Sequence, residues 1–164
     1  MRVHLSLGSN LGDRAANLRA AIQALAATDR IRVTAESAWY VTEPVGNASQ
    51  PSFLNAAVEI ETDLEPLELL KTVKTIEQRL GRRPSERWGP RAIDIDIVLW
   101  GDRVMAGDEL TLPHKEFRRR AFVLVPLAEI APDAVDPVSG MTVVQLQARP
   151  EARGTVRRYT PEDH

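Results

Sequence analysis

The fold is decided by residues 53–80, which read FLNAAVEIETDLEPLELLKTVKTIEQRL. Valine and isoleucine alternate with glutamate over residues 58–61, and this period of two predicts a strand with one buried face at residues 53–62. A helix follows. Pro66 lies early in it, where a missing N–H costs little, and Gly81 is suited to ending it. Its apolar stripe consists of Leu69, Leu70, Val73, Ile76 and Leu80.

The alternation of a strand and the apolar spacing of a helix both recur on either side of this unit. Alternation predicts strands at residues 3–7, from 31 to about 41, and at 92–99, and a helical spacing of leucine and isoleucine predicts a helix near 14–27. The resulting order β-α-β-β-α-β is typical of the ferredoxin-like fold. We therefore expect an α+β architecture, a single domain with an antiparallel sheet covered by helices.

The remaining third of the chain predicts smaller elements. Short strands are expected near residues 103–105 and 110–112, and helical segments around 115–130. The C-terminal residues are polar and charged, and we expect them to be mobile or to pack only peripherally. The predicted division is a folded domain at 1–145 and a polar C-terminal tail at 146–164.

Composition excludes several classes of function. The chain of 164 residues suits one domain. It has no cysteine, which excludes disulfides, zinc–thiolate sites and a cysteine nucleophile. A net charge of −2 gives no overall attraction to nucleic acid or acidic lipid. No apolar run is long enough to span a membrane, and no signal peptide is evident, so a cytoplasmic location is expected.

Two aspartates, Asp94 and Asp96, are the sharpest local signal. Residues two apart in a strand share a face, so these carboxylates project together, about 6.6 Å apart along the strand. Strict alternation would put Val98 and Trp100 on the same face. The opposite, core face would hold Ile93, Ile95, Ile97 and Leu99. Neighbouring carboxylates repel unless a cation lies between them, and Mg²⁺ suits such a pair. An acidic strand face without metal is the alternative.

An arginine-rich segment leads directly into this strand. Guanidinium forks bind phosphate oxygens in pairs, so arginines beside metal-binding carboxylates favour the handling of a polyphosphate. The alternative is an arginine–aspartate ion-pair network without a ligand. No glycine-rich loop of the Walker type is present. The arginines of residues 82–91 are Arg82, Arg83, Arg87 and Arg91.

Other candidate residues are weak signals when taken singly. Phe53 and Asn55 share a strand face, where a ring can stack on a flat heterocycle while the amide reads its edge. A phenylalanine in a strand, like Phe122, is nevertheless more typical of a core. His114 follows a proline and is typical of a turn. Glu77 is either a partly buried carboxylate with a partner or a charge at the helix edge, and the second reading is the more ordinary one.

Five stretches together make the sequence similar to a known family, 6-hydroxymethyl-7,8-dihydropterin pyrophosphokinase of the folate pathway. The resemblance covers about residues 2–140 in order, and the Arg-Trp-Gly-Pro-Arg…Asp-x-Asp run is its most specific part. The matching stretches are LSLGSNLGD (5–13), TEPVG (42–46), FLNAAV (53–58), RWGPRAIDID (87–96) and LPH (112–114).

The resemblance implies an activity and a role for each matching residue. The pterin hydroxymethyl oxygen would attack the β-phosphorus of ATP, AMP would leave, and two Mg²⁺ ions would be held by Asp94 and Asp96. These aspartates with Arg82 and Arg91 would form the catalytic group. The resemblance implies pterin binding by Thr42, Pro44, Val45, Gly46, Phe53, Asn55, Trp88 and Phe122. It implies ATP binding by Glu77, Arg82, Arg91, Ile97, Thr111, His114 and Arg120.

The sequence also departs from the family pattern at places near these residues. Pro84 stands where many members have an arginine, and Lys115 stands where the family often has a proline or an aromatic residue. Glu109 stands where some members have a basic residue. The rival readings are a nucleic-acid-binding domain, which the acids of the central strands oppose, and a non-catalytic pterin- or nucleotide-binding regulatory module. Both metal aspartates are present, which favours catalysis. The expected partners are ATP and the pterin, with no nucleic acid and no membrane, and the chain is expected to act as a monomer.

Overall fold

The structure, a computed structural model, describes residues 1–43, 52–81 and 92–160. Its elements follow the expected order, with the predicted strand at 31–41 divided in two. The strands are β1 (Arg2–Ser9), β2 (Ile31–Glu36), β3 (Tyr40–Thr42), β4 (Phe53–Thr62), β5 (Asp94–Trp100), β6 (Met105–Ala106), β7 (Thr111–Leu112) and β8 (Val156–Arg158). The helices are α1 (Arg14–Ala26), α2 (Pro66–Arg79), α3 (Ala121–Ile130) and α4 (Val143–Gln147), with a 3₁₀ turn at Phe117–Arg119.

The main sheet has the order β5-β1-β4-β3-β8, and β2 also pairs with β4. All of its pairings are antiparallel. The strand β1 therefore lies between β4 and β5. This is the arrangement expected when the two strands of each β-α-β unit are separated in the sheet by one other strand. The prediction of a ferredoxin-like α+β domain is confirmed. No helix in the described ranges is long and apolar enough to cross a membrane.

The sheet separates two apolar clusters. On one face, α1 and α2 bury leucine and valine side chains such as Leu18 and Val73 against Leu5 and Leu7 of β1. On the other face, α3 and α4 pack against a smaller group that includes Ala57 of β4. Because α3 and α4 are short, they cover only part of this second face.

A β-bulge changes the direction of the side chains in β5. Leu5 pairs with Ile97 but His4 pairs with Leu99, so Val98 is the extra residue. Beyond the bulge, Leu99 packs in the α3 cluster and Trp100 in the α1–α2 cluster. The expectation of strict alternation was therefore wrong for these two residues, and correct for Val98.

The C-terminal segment packs at the edge of the main sheet, which is the peripheral packing expected as one of two alternatives. Residues 156–158 form β8, which pairs with β3, and the N–H of Tyr159 donates to the carbonyl of Trp39 at 2.8 Å. The outer edge of β3 would otherwise present unpaired backbone groups. A strand of three residues has too little alternation to be read from the sequence. The division between residues 145 and 146 stays a prediction.

A largely buried hydrogen bond between His4 and Glu59 links β1 to β4 on the α3 face. His4 is 6% exposed, and its Nε2 lies 2.9 Å from Oε2 of Glu59. Burial lowers the pKa of His4, and the neighbouring Glu59 only partly offsets this. Burial opposes the charge of Glu59, but hydrogen bonds from Thr34 and His4 outweigh it and lower the pKa of Glu59.

The first prediction concerns the pH dependence of stability. Because the pKa of His4 is lower in the folded chain than its ordinary value of 6.5, the unfolded chain binds the proton first as the pH falls. The free energy of unfolding should therefore decrease below about pH 6.5. His4→Gln, which cannot titrate, should reduce this slope in urea unfolding at several pH values. His114→Gln should leave the contribution of His4 in place, and an unchanged slope in His4→Gln would contradict the assignment.

Candidate active site

Two cavities meet at the aspartates of β5. The sheet cavity, about 840 Å³, lies on the part of the second sheet face that α3 and α4 leave uncovered. The edge cavity, about 470 Å³, lies along the outer edge of β5. Asp94 and Asp96 line both. The sheet cavity is lined by Ser6, Gly8, Thr42, Glu43, Phe53, Asn55, Asp94, Asp96, Glu116, Arg119, Arg120, Phe122, Arg153 and Gly154. The edge cavity is lined by Leu70, Lys74, Glu77, residues 94–97 and 107–111, His114 and Lys115.

The floor of the sheet cavity follows from the register of three strands. Gly8 of β1 pairs with Asn55 on one side and with Asp94 on the other, and in the next row Ser6 lies between Ala57 and Asp96. The middle positions carry small side chains, so a trough runs between the amide of β4 and the carboxylates of β5. A β-carbon added at Gly8 would lie 2.6 Å from Oδ1 of Asn55.

The amide of Asn55 is held in a fixed orientation. The residue is buried, and its Nδ2 donates to Oγ1 of Thr42 at 2.7 Å. Its Oδ1 therefore faces Gly8 and the trough. Phe53, two residues earlier, begins β4 beside Ser52, whose carbonyl and hydroxyl each accept from Nη1 of Arg14 at 2.9 Å. These bonds tie the start of β4 to the start of α1.

Glu77 joins α2 to the outer edge of β5. It is 4% exposed, and its Oε2 accepts from the N–H of Ile95 at 2.8 Å. The reading of Glu77 as a helix-edge charge was wrong, and the reading as a buried carboxylate with a partner was correct. Since alternate residues of a strand direct their backbone groups to the same edge, the N–H of Ile97 also points toward the edge cavity. Ile97 thus presents its backbone there, while its side chain belongs to the core.

His114 presents one defined ring nitrogen. Its Nδ1 accepts from the N–H of Glu116 at 3.1 Å, so the proton of the neutral ring is on Nε2. Burial is the main cause of a lowered pKa; Arg120 lowers it further and Asp96 opposes the shift. The neutral imidazole can therefore donate one hydrogen bond from Nε2 to an acceptor such as a phosphate oxygen.

The edge cavity is acidic and the sheet cavity is more evenly charged. Five carboxylates line the edge cavity against two lysines, and three arginines face the four carboxylates of the sheet cavity. No cluster of three or more possible metal ligands occurs in residues 1–43, 52–81 and 92–160. A pair of carboxylates on one strand is nevertheless the donor set that Mg²⁺ uses when phosphate oxygens and water complete its shell. The aspartate pair fits such a metal.

The structure brings most of the predicted residues into the two cavities. Glu77, Ile97, Thr111 and His114 line the edge cavity, and Thr42, Phe53, Asn55 and Phe122 line the sheet cavity. Arg120, predicted with the first group, lines the sheet cavity instead. Six predicted residues lie outside the described residues: Pro44, Val45, Gly46, Arg82, Trp88 and Arg91.

Several cavity residues had no assigned role in the sequence interpretation. Gly8 lies within a matching stretch, but only the strand register shows why a side chain there would collide with Asn55. Arg119 and Glu116 could have been suspected because they lie within four residues of the predicted Arg120. Arg153 carried no signal, since its position depends on β8 pairing with a strand more than a hundred residues earlier.

Comparison with known proteins identifies one family. The family model described as 7,8-dihydro-6-hydroxymethylpterin-pyrophosphokinase (HPPK) matches residues 4–132. The 2-amino-4-hydroxy-6-hydroxymethyldihydropteridine pyrophosphokinase of Methylorubrum extorquens is 51% identical over 156 residues, which cover 95% of this chain and 98% of that protein. The folic acid synthesis protein fol1 of Schizosaccharomyces pombe is 39% identical over 98% of this chain, which spans 22% of that longer protein.

A solved structure agrees in fold. The crystal structure of Plasmodium falciparum HPPK-DHPS wild type with pteroate superposes with a TM-score of 0.71 at 17% identity. The match covers 89% of this chain and 41% of that one. At this identity the likeness supports the architecture described above.

The second prediction tests the bond between α2 and β5. Glu77→Ala leaves the buried N–H of Ile95 without this acceptor, which should lower the free energy of unfolding by about 1–3 kcal/mol. Urea denaturation measures the change. Gln78→Ala, at an exposed position of the same helix, should change stability by less than about 0.5 kcal/mol. Equal effects of the two variants would show that the Glu77 bond contributes nothing specific.

Proposed function

Since the chain belongs to the 7,8-dihydro-6-hydroxymethylpterin-pyrophosphokinase family, we propose that it transfers the diphosphate of ATP to the hydroxymethyl group of 6-hydroxymethyl-7,8-dihydropterin. AMP is released, and the reaction serves folate biosynthesis. The observation that carries the proposal is the meeting of two cavities of different character at one pair of carboxylates. A reaction between two substrates needs such a junction, because the reacting groups must approach within about 3–3.5 Å.

The sheet cavity suits the pterin. Phe53 and Phe122 supply two aromatic rings for stacking on a flat heterocycle. The held amide of Asn55 and the hydroxyl of Thr42 supply hydrogen-bonding groups for the edge of the ring. A pterin oriented in this way would direct its hydroxymethyl group toward the aspartates.

The edge cavity suits ATP. The N–H of Ile97 and the side chain of Thr111 can bond to the nucleotide, and Nε2 of His114 can donate to a phosphate oxygen. Lys74 and Lys115 add positive charge at the same cavity. Glu77, which also lines it, holds β5 in place beneath the nucleotide.

Asp94 and Asp96 would hold magnesium between the two substrates. The acidic lining of the edge cavity supports a cation there, because a triphosphate would otherwise be repelled by five carboxylates. Bound magnesium supplies charge neutralisation for the transferred phosphates. Two ions, as the family resemblance implies, remain a proposal.

The chain's own residues contribute alignment to the reaction. The hydroxymethyl oxygen forms a bond to the β-phosphorus, the bond from that phosphorus to the oxygen shared with the α-phosphate breaks, and the hydroxyl proton is released to water. Groups held in line avoid much of the entropic cost of the encounter. The proposed contributions of Arg82, Arg91, Trp88 and residues 44–46 rest on the family resemblance. The proposed monomeric state can be checked by light scattering.

The third prediction tests the reaction itself. Purified protein with ATP, magnesium and 6-hydroxymethyl-7,8-dihydropterin should form AMP in step with diphosphorylated pterin. Chromatography measures both products. Asp94→Asn/Asp96→Asn, which keeps the shape and removes both charges, should lower the rate at least about 100-fold. Asp63→Ala, which removes an exposed partner of Arg30, serves as the matched control.

The alternatives to this reaction give different products. Formation of ADP would mean transfer of the γ-phosphate and would contradict the proposed displacement. Tight binding of the pterin without consumption of nucleotide would favour the non-catalytic regulatory module.

The fourth prediction tests the floor of the sheet cavity. Gly8→Ala should displace the Asn55 side chain, because the new methyl group would lie 2.6 Å from its Oδ1. We expect pterin affinity, measured by calorimetry, to fall about tenfold. In an Asn55→Ala background the colliding oxygen is absent, so Gly8→Ala should have little further effect. Additive losses in this double-mutant cycle would show that the two residues act independently.

A further inference from the structure

Arg153 lies beyond the residues matched by the family model, which end at 132, and none of the roles above includes it. Its backbone is nevertheless fixed beside the sheet cavity. The N–H of Arg153 donates to the carbonyl of Arg119 at 3.1 Å, and its carbonyl accepts from the N–H of Ala121 at 3.0 Å. These bonds form a parallel bridge that pairs Arg153 with Arg120.

The chain on the other side of Arg153 is held as well. Val156 of β8 pairs with Thr42 of β3. Tyr159 then bonds to the backbone of Trp39, and the centroids of their rings are 5.9 Å apart. Gly154, with φ +127°, allows the turn between the bridge and the strand. Arg153 is thus anchored to the start of α3 and, through β8, to the strand that carries Thr42.

The bridge pairs the backbones of two arginines, whose side chains line the same cavity. Residues paired across neighbouring strands direct their side chains to the same face, and like charges there destabilise each other. Arg120 and Arg153 both line the sheet cavity. The Arg120 guanidinium lies 5.6 Å from the centroid of the Phe122 ring. Within the described part of the chain, no carboxylate lies within ion-pair distance of either arginine. The arrangement is favourable when an anion binds between them.

The distribution of charge indicates which anion this is. Among the described residues that line the sheet cavity and the edge cavity, the arginines are on the pterin side, and the edge cavity has two lysines and five acids. These arginines are Arg119, Arg120 and Arg153. Transfer moves the diphosphate from the nucleotide side to the pterin side. Guanidinium groups bind phosphate oxygens in pairs, whereas the neutral hydroxymethyl group offers them no charge.

We propose that Arg153 is a substrate-binding residue whose guanidinium, together with that of Arg120, binds the diphosphate on the pterin as it is transferred. This inference rests on the proposed function. It makes the C-terminal segment part of the active site. It also gives the site a higher affinity for the diphosphorylated pterin than for the alcohol from which it forms.

The fifth prediction compares ligands that differ only in the diphosphate. Arg153→Ala should weaken binding of diphosphorylated 6-hydroxymethyl-7,8-dihydropterin about 10- to 100-fold in calorimetry with magnesium present. Binding of the unphosphorylated pterin and of ATP alone should change less than about twofold, since neither places a phosphate at this position. Arg153→Lys keeps the charge but loses the forked guanidinium, so its affinity for the diphosphorylated pterin should lie between those of Arg153→Ala and the wild type.

The matched control is Arg149→Ala. Arg149 is an exposed arginine of the same segment that pairs with Glu151 at 2.7 Å and does not line the cavity. The Arg149→Ala variant should bind all three ligands as tightly as the wild type does. Thermal unfolding of Arg153→Ala checks that β8 remains in place, and a loss of affinity for all ligands alike would indicate a structural role and overturn the proposal.

The result also separates this inference from the proposed function. If the wild type forms AMP and Arg153→Ala binds the diphosphorylated pterin as tightly as the wild type, only the inference about Arg153 is wrong. If the wild type neither forms AMP nor binds the diphosphorylated pterin, the proposed function is wrong and this inference with it.

Discussion

The register of β1 between β4 and β5 is the constraint on which the rest of the site depends. It aligns Asn55, Gly8 and Asp94 in one row and Ala57, Ser6 and Asp96 in the next. Because side chains in one row point to the same face, a shift of β1 by one residue would turn Gly8 and Ser6 to the opposite face of the sheet. It would place leucine side chains between the amide and the carboxylates. The same pairing that buries Leu5 and Leu7 therefore also sets the amide opposite the carboxylates, and folding and site assembly are one event.

The bulge at Val98 lets one short strand serve two environments. Before it, alternate residues of β5 present aspartates to the cavities and isoleucines to the core under α1 and α2. After it, Leu99 faces α3 and Trp100 returns to the main core. A regular strand would have placed the large Trp100 ring on the face that α3 must cover. The change of direction occurs where the polar half of that face ends and the apolar half begins.

Patterns of neighbouring residues in the sequence predicted the structural features that neighbouring residues determine. The alternation in residues 53–62 and the helical spacing after Pro66 were enough for the order of elements, and the Asp94–Asp96 spacing was enough to predict a shared face. The bulge, the burial of Glu77 and the position of Arg153 depend on pairing between distant segments. Glu77 resembles any helix-edge acid until β5 presents the N–H of Ile95 to it. No single-residue propensity contains that information.

The ferredoxin-like unit also explains why the cavity requires the last third of the chain. Its two crossover helices, α1 and α2, both lie on one face of the sheet, so residues up to 100 leave the other face bare with apolar groups such as Ala57 and Leu99 exposed. Helices α3 and α4 cover the part of this face that is apolar. The part they leave open is the sheet cavity, whose border is formed by the start of α3 and by the segment that leads to β8. The core unit supplies the reactive floor, and the added segments determine its outline and its positive charge.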